Sequence, residues 1–236
     1  MEHARNTETS EGVGEVEAPP VVGSGAAEIG HALADGAVVA VPAVGGYCLA
    51  VQLDAPGAEG RLEALAADPD GPHYAVGQRS DVRALTSGWS NEVDQLLERC
   101  WPGPVDVFLP RANGSNDEAV HLFDQEDETP THSWAVTVSM PDGRALRRLC
   151  KEYGPWRTVP LAFNDASEVA HAFDAADVAL VVDGGRREGE PPTLVDATVS
   201  PVRVLREGAL PSNFIDASMA MSARRKFFGR KAHRGE

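Results

Sequence analysis

The chain has 236 residues, of which 42% are apolar and 6% aromatic, enough to bury the core of one domain of ordinary size. Its net charge of -15 disfavours general binding to polyanions such as nucleic acids. No apolar run approaches the ~18 residues that a membrane-spanning helix needs, which predicts a soluble protein without a transmembrane segment.

The N-terminal end and the cysteines indicate the compartment. The first 20 residues are acidic and polar, whereas a secretory signal begins with basic residues and continues with an apolar run. Cys48, Cys100 and Cys150 are far apart and form no C-x-x-C pair, which argues against a disulfide framework or a zinc site. We therefore predict a cytoplasmic protein without a metal site.

Composition divides the chain into three parts. Residues 1–22 carry five glutamates, have two prolines near their end and lack a sustained apolar period, a composition typical of disorder. Residues 23–211 hold the predicted helices and strands and form the predicted domain. Residues 212–236 form a basic tail, since residues 221–236 carry a charge of +5 and the preceding 220 residues carry -20.

The first half of the predicted domain interleaves helices with short apolar strands. Helical spacing of apolar residues and a glycine stop at Gly36 indicate the first helix, and Ser90 or Asn91 caps a later one. In chain order, the predicted elements are a helix from Ser24 to Asp35, strands from Ala37 to Val41 and Tyr47 to Leu53, helices from Ala58 to Ala67 and Asn91 to Cys100, and a strand from Val105 to Leu109.

The second half ends in three strands separated by turns. The predicted elements are a strand from Trp134 to Met140, helices from Asp142 to Tyr153 and Ser167 to Phe173, and strands from Val178 to Val182, Thr193 to Asp196 and Val202 to Leu205. The order lacks strict β-α-β spacing. It therefore predicts an α/β (α+β) fold, with a twisted mixed β-sheet and flanking helices.

Two segments contain distinctive sequence motifs. The first is Trp101-Pro102-Gly103-Pro104, and the second is the closing segment, which contains an Asp183-Gly184-Gly185 turn and an Arg206-Glu207-Gly208 end. Both resemble the YrdC-like family of L-threonylcarbamoyladenylate synthases. The resemblance implies a cleft in which L-threonine, bicarbonate and ATP are condensed to threonylcarbamoyl-AMP, an intermediate of tRNA modification.

The polar motifs of that cleft are altered in this chain. The family's P-T-acid-T-x-Y-G-L motif aligns with the segment from Pro42 to Leu49, where Ala43, Val44 and Gly45 replace the two threonines and the acid. These replacements remove side chains that form hydrogen bonds with a ligand. The family's phosphate-binding K-x-R pair aligns with residues 67–72, where two aspartates stand instead.

Three further motifs have also changed. The basic V-R-x-P motif becomes Val138-Ser139-Met140-Pro141, and Pro192 replaces the serine of the S-T-V-V-D strand. The S-x-N motif falls within residues 158–164, where the alignment places Val159 and Leu161 on the serine and the asparagine. A shift of three residues in the alignment brings Asn164 into the asparagine position instead. Among the charged family positions, Arg206 survives.

The resemblance assigns a set of candidate ligand-binding residues. They are Pro42, Gly45, Gly46, Tyr47, Arg157, Asn164 and Arg206. Four of them have a simpler interpretation: core packing and a strand terminus for Pro42 and Tyr47, an ion pair with Glu207 or Asp196 for Arg206, and a surface position for Arg157. The expected ligand is a nucleotide or an amino acid, and no catalytic residue is assigned.

The basic tail is a second candidate binding site. Its candidate residues for RNA or an acidic partner are Arg224, Arg225, Lys226, Arg230 and Lys231. Phe227 and Phe228 lie among them, and aromatic residues between cations can stack on bases. The alternative interpretation is a solvated, disordered end.

Three functional hypotheses follow. The first is a YrdC-like protein that is non-catalytic or functionally diverged, with a translation-related, tRNA-related or regulatory role. The second is an active threonylcarbamoyl-AMP synthase with an altered site, which would use ATP and Mg²⁺ and rely on main-chain N–H groups at Gly45 and Gly46 together with Arg206 and Arg157. The third is an RNA-binding module that acts through the tail.

Overall fold

The computed structural model describes residues 17–24, 27–66, 71–112 and 134–220. In these ranges ten strands form one sheet in the order β1-β8-β2-β3-β7-β4-β6-β5-β9-β10. The strands are β1 (Val21–Gly23), β2 (Val39–Ala43), β3 (Gly46–Gln52), β4 (His73–Ala75), β5 (Val105–Pro110), β6 (Ala135–Ser139), β7 (Trp156–Leu161), β8 (Leu180–Asp183), β9 (Thr193–Asp196) and β10 (Arg203–Arg206). The helices are α1 (Ala27–Ala34), α2 (Ala58–Leu65), α3 (Arg79–Leu85), α4 (Asn91–Cys100), α5 (Arg144–Tyr153), α6 (Ala166–Ala172) and residues 212–220.

Pairing in the sheet is both parallel and antiparallel. The strand β7 is antiparallel to β3 and β4, whereas β4 runs parallel to β6 and β5 runs parallel to β9. Helices cover both faces of this mixed sheet. The predicted α/β fold class is therefore confirmed.

Strand register defines the two faces of the sheet. His73 of β4 pairs laterally with Thr137 of β6 and Thr158 of β7, so these three side chains share one face, which we call the cleft face. Here α1 and α5 pack against the apolar residues of β2, β3 and β8. The opposite, rear face carries Tyr74 and Val159 and is covered by α2, α3, α4, α6 and the helix at residues 212–220.

The helix α4 forms where the sequence predicts it. The Ser90 hydroxyl accepts a hydrogen bond from the Val93 amide and caps its N-terminus. Its apolar stripe is buried against the rear face of the sheet. Trp101, at the C-terminal end of α4, packs into the same core, and its indole N–H donates to the Val105 carbonyl at 2.7 Å. This tryptophan therefore fixes the chain where it turns from α4 into β5.

The ordered N-terminal part starts earlier than the sequence predicts. The strand β1, which begins at Val21, lies parallel to β8. Before it, the Pro20 carbonyl accepts a hydrogen bond from the Val181 amide, and the Glu17 carbonyl accepts one from the Ala175 amide. These main-chain contacts need no apolar periodicity, which explains why residues 17–22 read as disordered. The rest of the predicted disordered segment, residues 1–16, lies outside the described residues.

The C-terminal part of the fold also differs from the prediction. Residues 212–220, assigned to the tail by the sequence, are helical. Ile215 is 1% exposed and Met219 packs against the rear-face core, so this helix completes the cover of β9 and β10. The basic residues from Arg224 onwards lie outside the described ranges. None of the helices in the described ranges has the length and apolar character required to span a bilayer.

Candidate functional site

A cavity of about 270 Å³ opens on the cleft face of the sheet. The strands β4, β5, β6 and β7 supply polar side chains to its lining, among them His73, Thr137 and Thr158. The loop between β2 and β3, residues 140–142 and residues 191–192 complete the lining. Most of the other lining side chains are apolar. The cavity thus combines a polar floor with apolar walls, as small-molecule sites commonly do.

Charge in the described lining is sparse and mainly acidic. Asp106 and Asp142 supply two carboxylates, Arg206 supplies the guanidinium, and His73 supplies an imidazole. Arg206 is the one arginine or lysine among the described residues that line the cavity. A triphosphate needs several cationic or N–H donors around its oxygens. The described lining therefore does not fit a triphosphate group.

His73 and Asp106 face each other in the cavity. Nε2 of His73 lies 3.8 Å from Oδ2 of Asp106, too far for a hydrogen bond. This nitrogen is buried and has no hydrogen-bond partner among the described residues. Burial raises the pKa of the Asp106 carboxyl, although the neighbouring His73 and Arg206 act in the opposite direction. The pair thus presents two polar atoms that a ligand could satisfy.

Two ionisable residues of the lining are held neutral. Burial, with a smaller contribution from the charge of Asp106, raises the pKa of the Cys48 thiol to about 12. Burial is also the largest cause of a raised pKa at Tyr47. The thiolate is the nucleophilic form of cysteine, so a thiol that stays protonated does not act as a nucleophile at neutral pH.

Pro42 and Tyr47 line the cavity and also hold in place the main chain at Gly184 and Gly185, which follow β8. The Tyr47 hydroxyl accepts a hydrogen bond from the Gly184 amide at 3.0 Å and donates one to the Gly185 carbonyl at 2.9 Å. A side chain at position 184 would place its Cβ 2.4 Å from Cβ of Pro42. These residues therefore have an architectural role in addition to their place in the cavity lining.

Gly45 lies in the turn between β2 and β3 at the rim of the cavity, and Gly46 is the first residue of β3. Gly45 has a φ of 76°, a left-handed conformation that favours glycine. A Cβ at Gly46 would lie 3.0 Å from the Phe163 carbonyl. This part of the chain thus approaches its neighbours closely, and both glycines belong to the cavity lining.

Arg157 is not among the residues that line the cavity. Strand alternation directs Trp156 and Thr158 of β7 to the cleft face, so the intervening Arg157 points to the rear face. There its guanidinium lies 5.6 Å from the centre of the Tyr74 ring and donates to the Thr158 carbonyl at 2.7 Å. With 4% exposure, it is not the surface residue of the alternative interpretation either.

Asn164 also lies away from the cavity lining. Its main-chain N–H donates to a carboxylate oxygen of Glu168 at 2.8 Å, and its main-chain carbonyl accepts a hydrogen bond from the Arg187 main-chain N–H. The structure thus brings five of the seven candidate ligand-binding residues together at the cavity, namely Pro42, Gly45, Gly46, Tyr47 and Arg206.

Arg206 reaches the cavity from the end of β10. Asp196, one of the two acids considered as a partner of Arg206, forms an ion pair with Arg203, whose Nε lies 3.1 Å from its Oδ2. Arg206 acts electrostatically on Asp106. Residues 67–70, where the sequence replaces the family's K-x-R pair, lie outside the described residues, as do the candidate RNA-binding residues of the tail.

Sequence reasoning missed both His73 and Asp106. The signal for Asp106 is present in the segment from Val105 to Leu109, where one carboxylate interrupts an otherwise apolar strand. A buried strand that carries a charged residue on one face indicates a polar site there. For His73 the signal is weaker, because the short strand β4 was not predicted.

The comparisons with solved structures find this fold in other proteins. It is similar to Sua5 from P. abyssi in complex with L-threonine, with a TM-score of 0.65 and 24% identity over 81% of this chain and 56% of that chain. It is also similar to YciO from E. coli, with a TM-score of 0.62 and 20% identity over 77% of this chain and 88% of that chain. The chain thus spans less than two thirds of the length of the Sua5 structure.

The comparison with protein families tests family membership more directly than the structural similarities do. No match to the chain was found among curated proteins. The family model Sua5/YciO/YrdC, described as "Telomere recombination", matches residues 31–208, which include the second half of α1, the cavity and β10. This match confirms the resemblance read from the sequence motifs. The chain therefore belongs to the Sua5/YciO/YrdC family.

Proposed function

We propose that this protein is a diverged, non-catalytic member of its family, in which the cleft has lost triphosphate binding and serves a translation-related or regulatory role in the cytoplasm. The observation that supports this proposal is the charge of the cavity. Two carboxylates, Asp106 and Asp142, and one guanidinium, that of Arg206, line it among the described residues.

The magnitude of the electrostatic effect favours loss of triphosphate binding over mere weakening. At ~4 Å a contact between like charges costs roughly 1 to 4 kcal/mol, depending on how well water screens it. Asp106 is 4% exposed, so it is shielded from that screening. A phosphate group placed in this cavity would meet such costs with one described arginine to offset them.

An active enzyme with an altered site is the second candidate. Family membership favours it, and so does the position of Arg206 in the cavity lining. In that case Arg206 and the main chain at Gly45 and Gly46 would hold the nucleotide, while ATP, with Mg²⁺ on its phosphates, would supply the adenylyl group and release pyrophosphate. The P. abyssi Sua5 structure contains L-threonine, which supports an amino acid as the ligand to test.

A contact with RNA or an acidic partner through the tail is a separate proposal. It depends on the charge of +5 over residues 221–236, in contrast to the acidic remainder of the chain. This interaction is compatible with a non-catalytic cleft and with an active one.

Pyrophosphate release tests the first proposal against the second. Purified full-length protein is incubated with ATP, Mg²⁺, L-threonine and bicarbonate, and pyrophosphate is measured beside reactions that each omit one substrate. We expect no release above the buffer background, and no thermal stabilisation by ATP and Mg²⁺, since a ligand that binds the native state raises its stability. Release that requires all three substrates would establish the active enzyme instead.

A further inference from the structure

We infer that the cavity binds the ammonium group of a small primary amine between the carboxylate of Asp106 and the imidazole of His73. This inference deepens the proposed function and rests on the proposed loss of triphosphate binding, since it assigns a cationic ligand to a cleft that would otherwise take an anion.

The geometry of the two residues carries the inference. Oδ2 of Asp106 and Nε2 of His73 are 3.8 Å apart, and both residues line the cavity. One donor atom placed to the side of the line between them can lie ~2.9 Å from both, the ordinary length of an N–H hydrogen bond. The Asp106 side chain is 6% exposed, and Nε2 of His73 is buried without a hydrogen-bond partner in the part of the chain that the structure describes. A ligand atom there would give this nitrogen a partner.

The chemistry of the pair selects the donor. When the neutral His73 carries its hydrogen on Nδ1, its Nε2 is an acceptor, and the Asp106 carboxylate is an acceptor as well. Two acceptors beside one position require a group with at least two N–H or O–H donors. A primary ammonium has three N–H groups, and its charge complements the carboxylate, whereas a quaternary ammonium has the same charge and no N–H donor.

The rest of the cavity limits the ligand to a small molecule. Its volume of about 270 Å³ lies just below the ~300 to 1,000 Å³ of typical ligand pockets. The hydroxyls of Thr137, Ser139 and Thr158 line the same face and offer hydrogen bonds to a hydroxyl group of the ligand. The fitting class is therefore a short primary amine that carries a hydroxyl.

Ethanolamine and choline form a matched pair of probes. They differ in the three methyl groups that replace the N–H donors, and their chloride salts match each other in ionic strength. We would titrate nitrogen-labelled full-length protein with each and follow the amide resonances by NMR. We expect ethanolamine to shift resonances of the cavity strands and to bind at least about tenfold more tightly than choline, as the loss of hydrogen bonds to a charged group predicts.

The variant Asp106→Asn tests the site itself. It keeps the shape of the side chain and removes the charge, so we expect ethanolamine affinity to fall at least about tenfold. Asp216→Asn makes the same charge change at an exposed position of the helix at residues 212–220 and should bind as the wild type does. The comparison of ethanolamine with choline needs only the wild-type protein, so the inference stays testable if Asp106→Asn does not fold.

The outcomes separate this inference from the proposed function. Equal binding of ethanolamine and choline, no binding of either, or full ethanolamine affinity in Asp106→Asn would overturn the ammonium site and leave the proposed function intact. Substrate-dependent pyrophosphate release would overturn the proposed function, whatever the amines do. Selective ethanolamine binding that depends on Asp106, in a protein that releases no pyrophosphate, supports both.

Discussion

The amide of Gly184 donates a hydrogen bond to the hydroxyl of Tyr47 at 3.0 Å, although the two residues are 137 positions apart in the sequence. The contact joins the turn after β8 to the strand β3 beside the cavity. It requires the main chain of the turn to approach β2 and β3 closely, and the missing side chain at position 184 makes that approach possible.

Gly184→Ala should therefore destabilise the protein. The new methyl group would lie 2.4 Å from Cβ of Pro42, closer than real Cβ contacts allow, so the turn must move away. We expect a loss of about 1 to 3 kcal/mol, as for other overpacked sites, measured by urea unfolding. Gly60→Ala is the control, because it adds a methyl group to α2 in open space and should leave stability unchanged or raise it by about 1 kcal/mol.

Asp106→Asn should change how stability depends on pH. Burial raises the pKa of Asp106 above the ~3.9 of an unfolded aspartate, so the native state keeps its proton at pH values where the unfolded chain has lost it. The free energy of unfolding of the wild type thus falls as the pH rises from about 4 through the folded pKa. The variant lacks this loss, and its stability relative to the wild type should increase from acidic to neutral pH. A difference in the free energy of unfolding between variant and wild type that does not change with pH would contradict the raised pKa of Asp106.

Asp165→Asn should show the opposite dependence. The amides of Glu168 and Ser167 and the Ser167 hydroxyl donate hydrogen bonds to the Asp165 carboxylate at the start of α6 and lower its pKa. The charged form therefore stabilises the native state above the unfolded pKa, and the stabilisation is lost as the pH falls through the folded pKa. The variant should be less stable than the wild type at neutral pH and approach it in acid, as measured by unfolding in urea at both pH values.

Arg157→Ala and Arg206→Ala should separate stability from ligand binding. The buried guanidinium of Arg157 contacts Tyr74 and the Thr158 carbonyl on the rear face. Its removal should cost on the order of 1 to 3 kcal/mol of stability and leave the ethanolamine affinity unchanged.

Arg206 is exposed, and its positive charge acts on the Asp106 carboxylate. Its removal should therefore change stability little and raise the ethanolamine affinity. If Arg157→Ala altered amine binding without unfolding, the assignment of Arg157 to the rear face would be wrong.

Deletion of residues 221–236 tests the tail. If the tail binds RNA, the full-length protein should bind RNA in a salt-sensitive manner, because its six basic residues release counterions from the phosphates. The deletion removes a charge of +5 and should abolish that binding, since the remaining chain is acidic. Fluorescence anisotropy with a labelled RNA at two salt concentrations measures both effects. Unchanged binding after the deletion would exclude the tail as the site.

The sequence predicts most of the fold where an element has a clear period or cap. The helix α4 shows both, with Ser90 as its cap and an apolar stripe, and its bounds agree with the prediction. The strands β1 and β4 have three residues each, which is too short for a period to show. The sequence does not predict the helix at residues 212–220, because Ile215 and Met219 are its main core contacts and two residues are too few to show an apolar period.

The candidate site was harder to predict because its residues meet only through the sheet. Pro42, Tyr47 and Arg206 were found through motifs that lie next to the cavity. The side-chain direction of Arg157 depends on strand register, which the composition of β7 does not reveal. His73 and Asp106 belong to different strands, and their contact follows from the order of β4, β6 and β5 in the sheet.

The pairing of β1 with β8 has a practical consequence for anyone who expresses the protein. A fragment cut to residues 31–208, the bounds of the family match, would lack β1 and would leave β8 as an open sheet edge. It would also lose Ile215 and uncover the apolar surface beneath it. Unpaired edges and bare apolar patches promote self-association. A recombinant fragment that stays monomeric therefore has to start before Glu17 and extend past Met219.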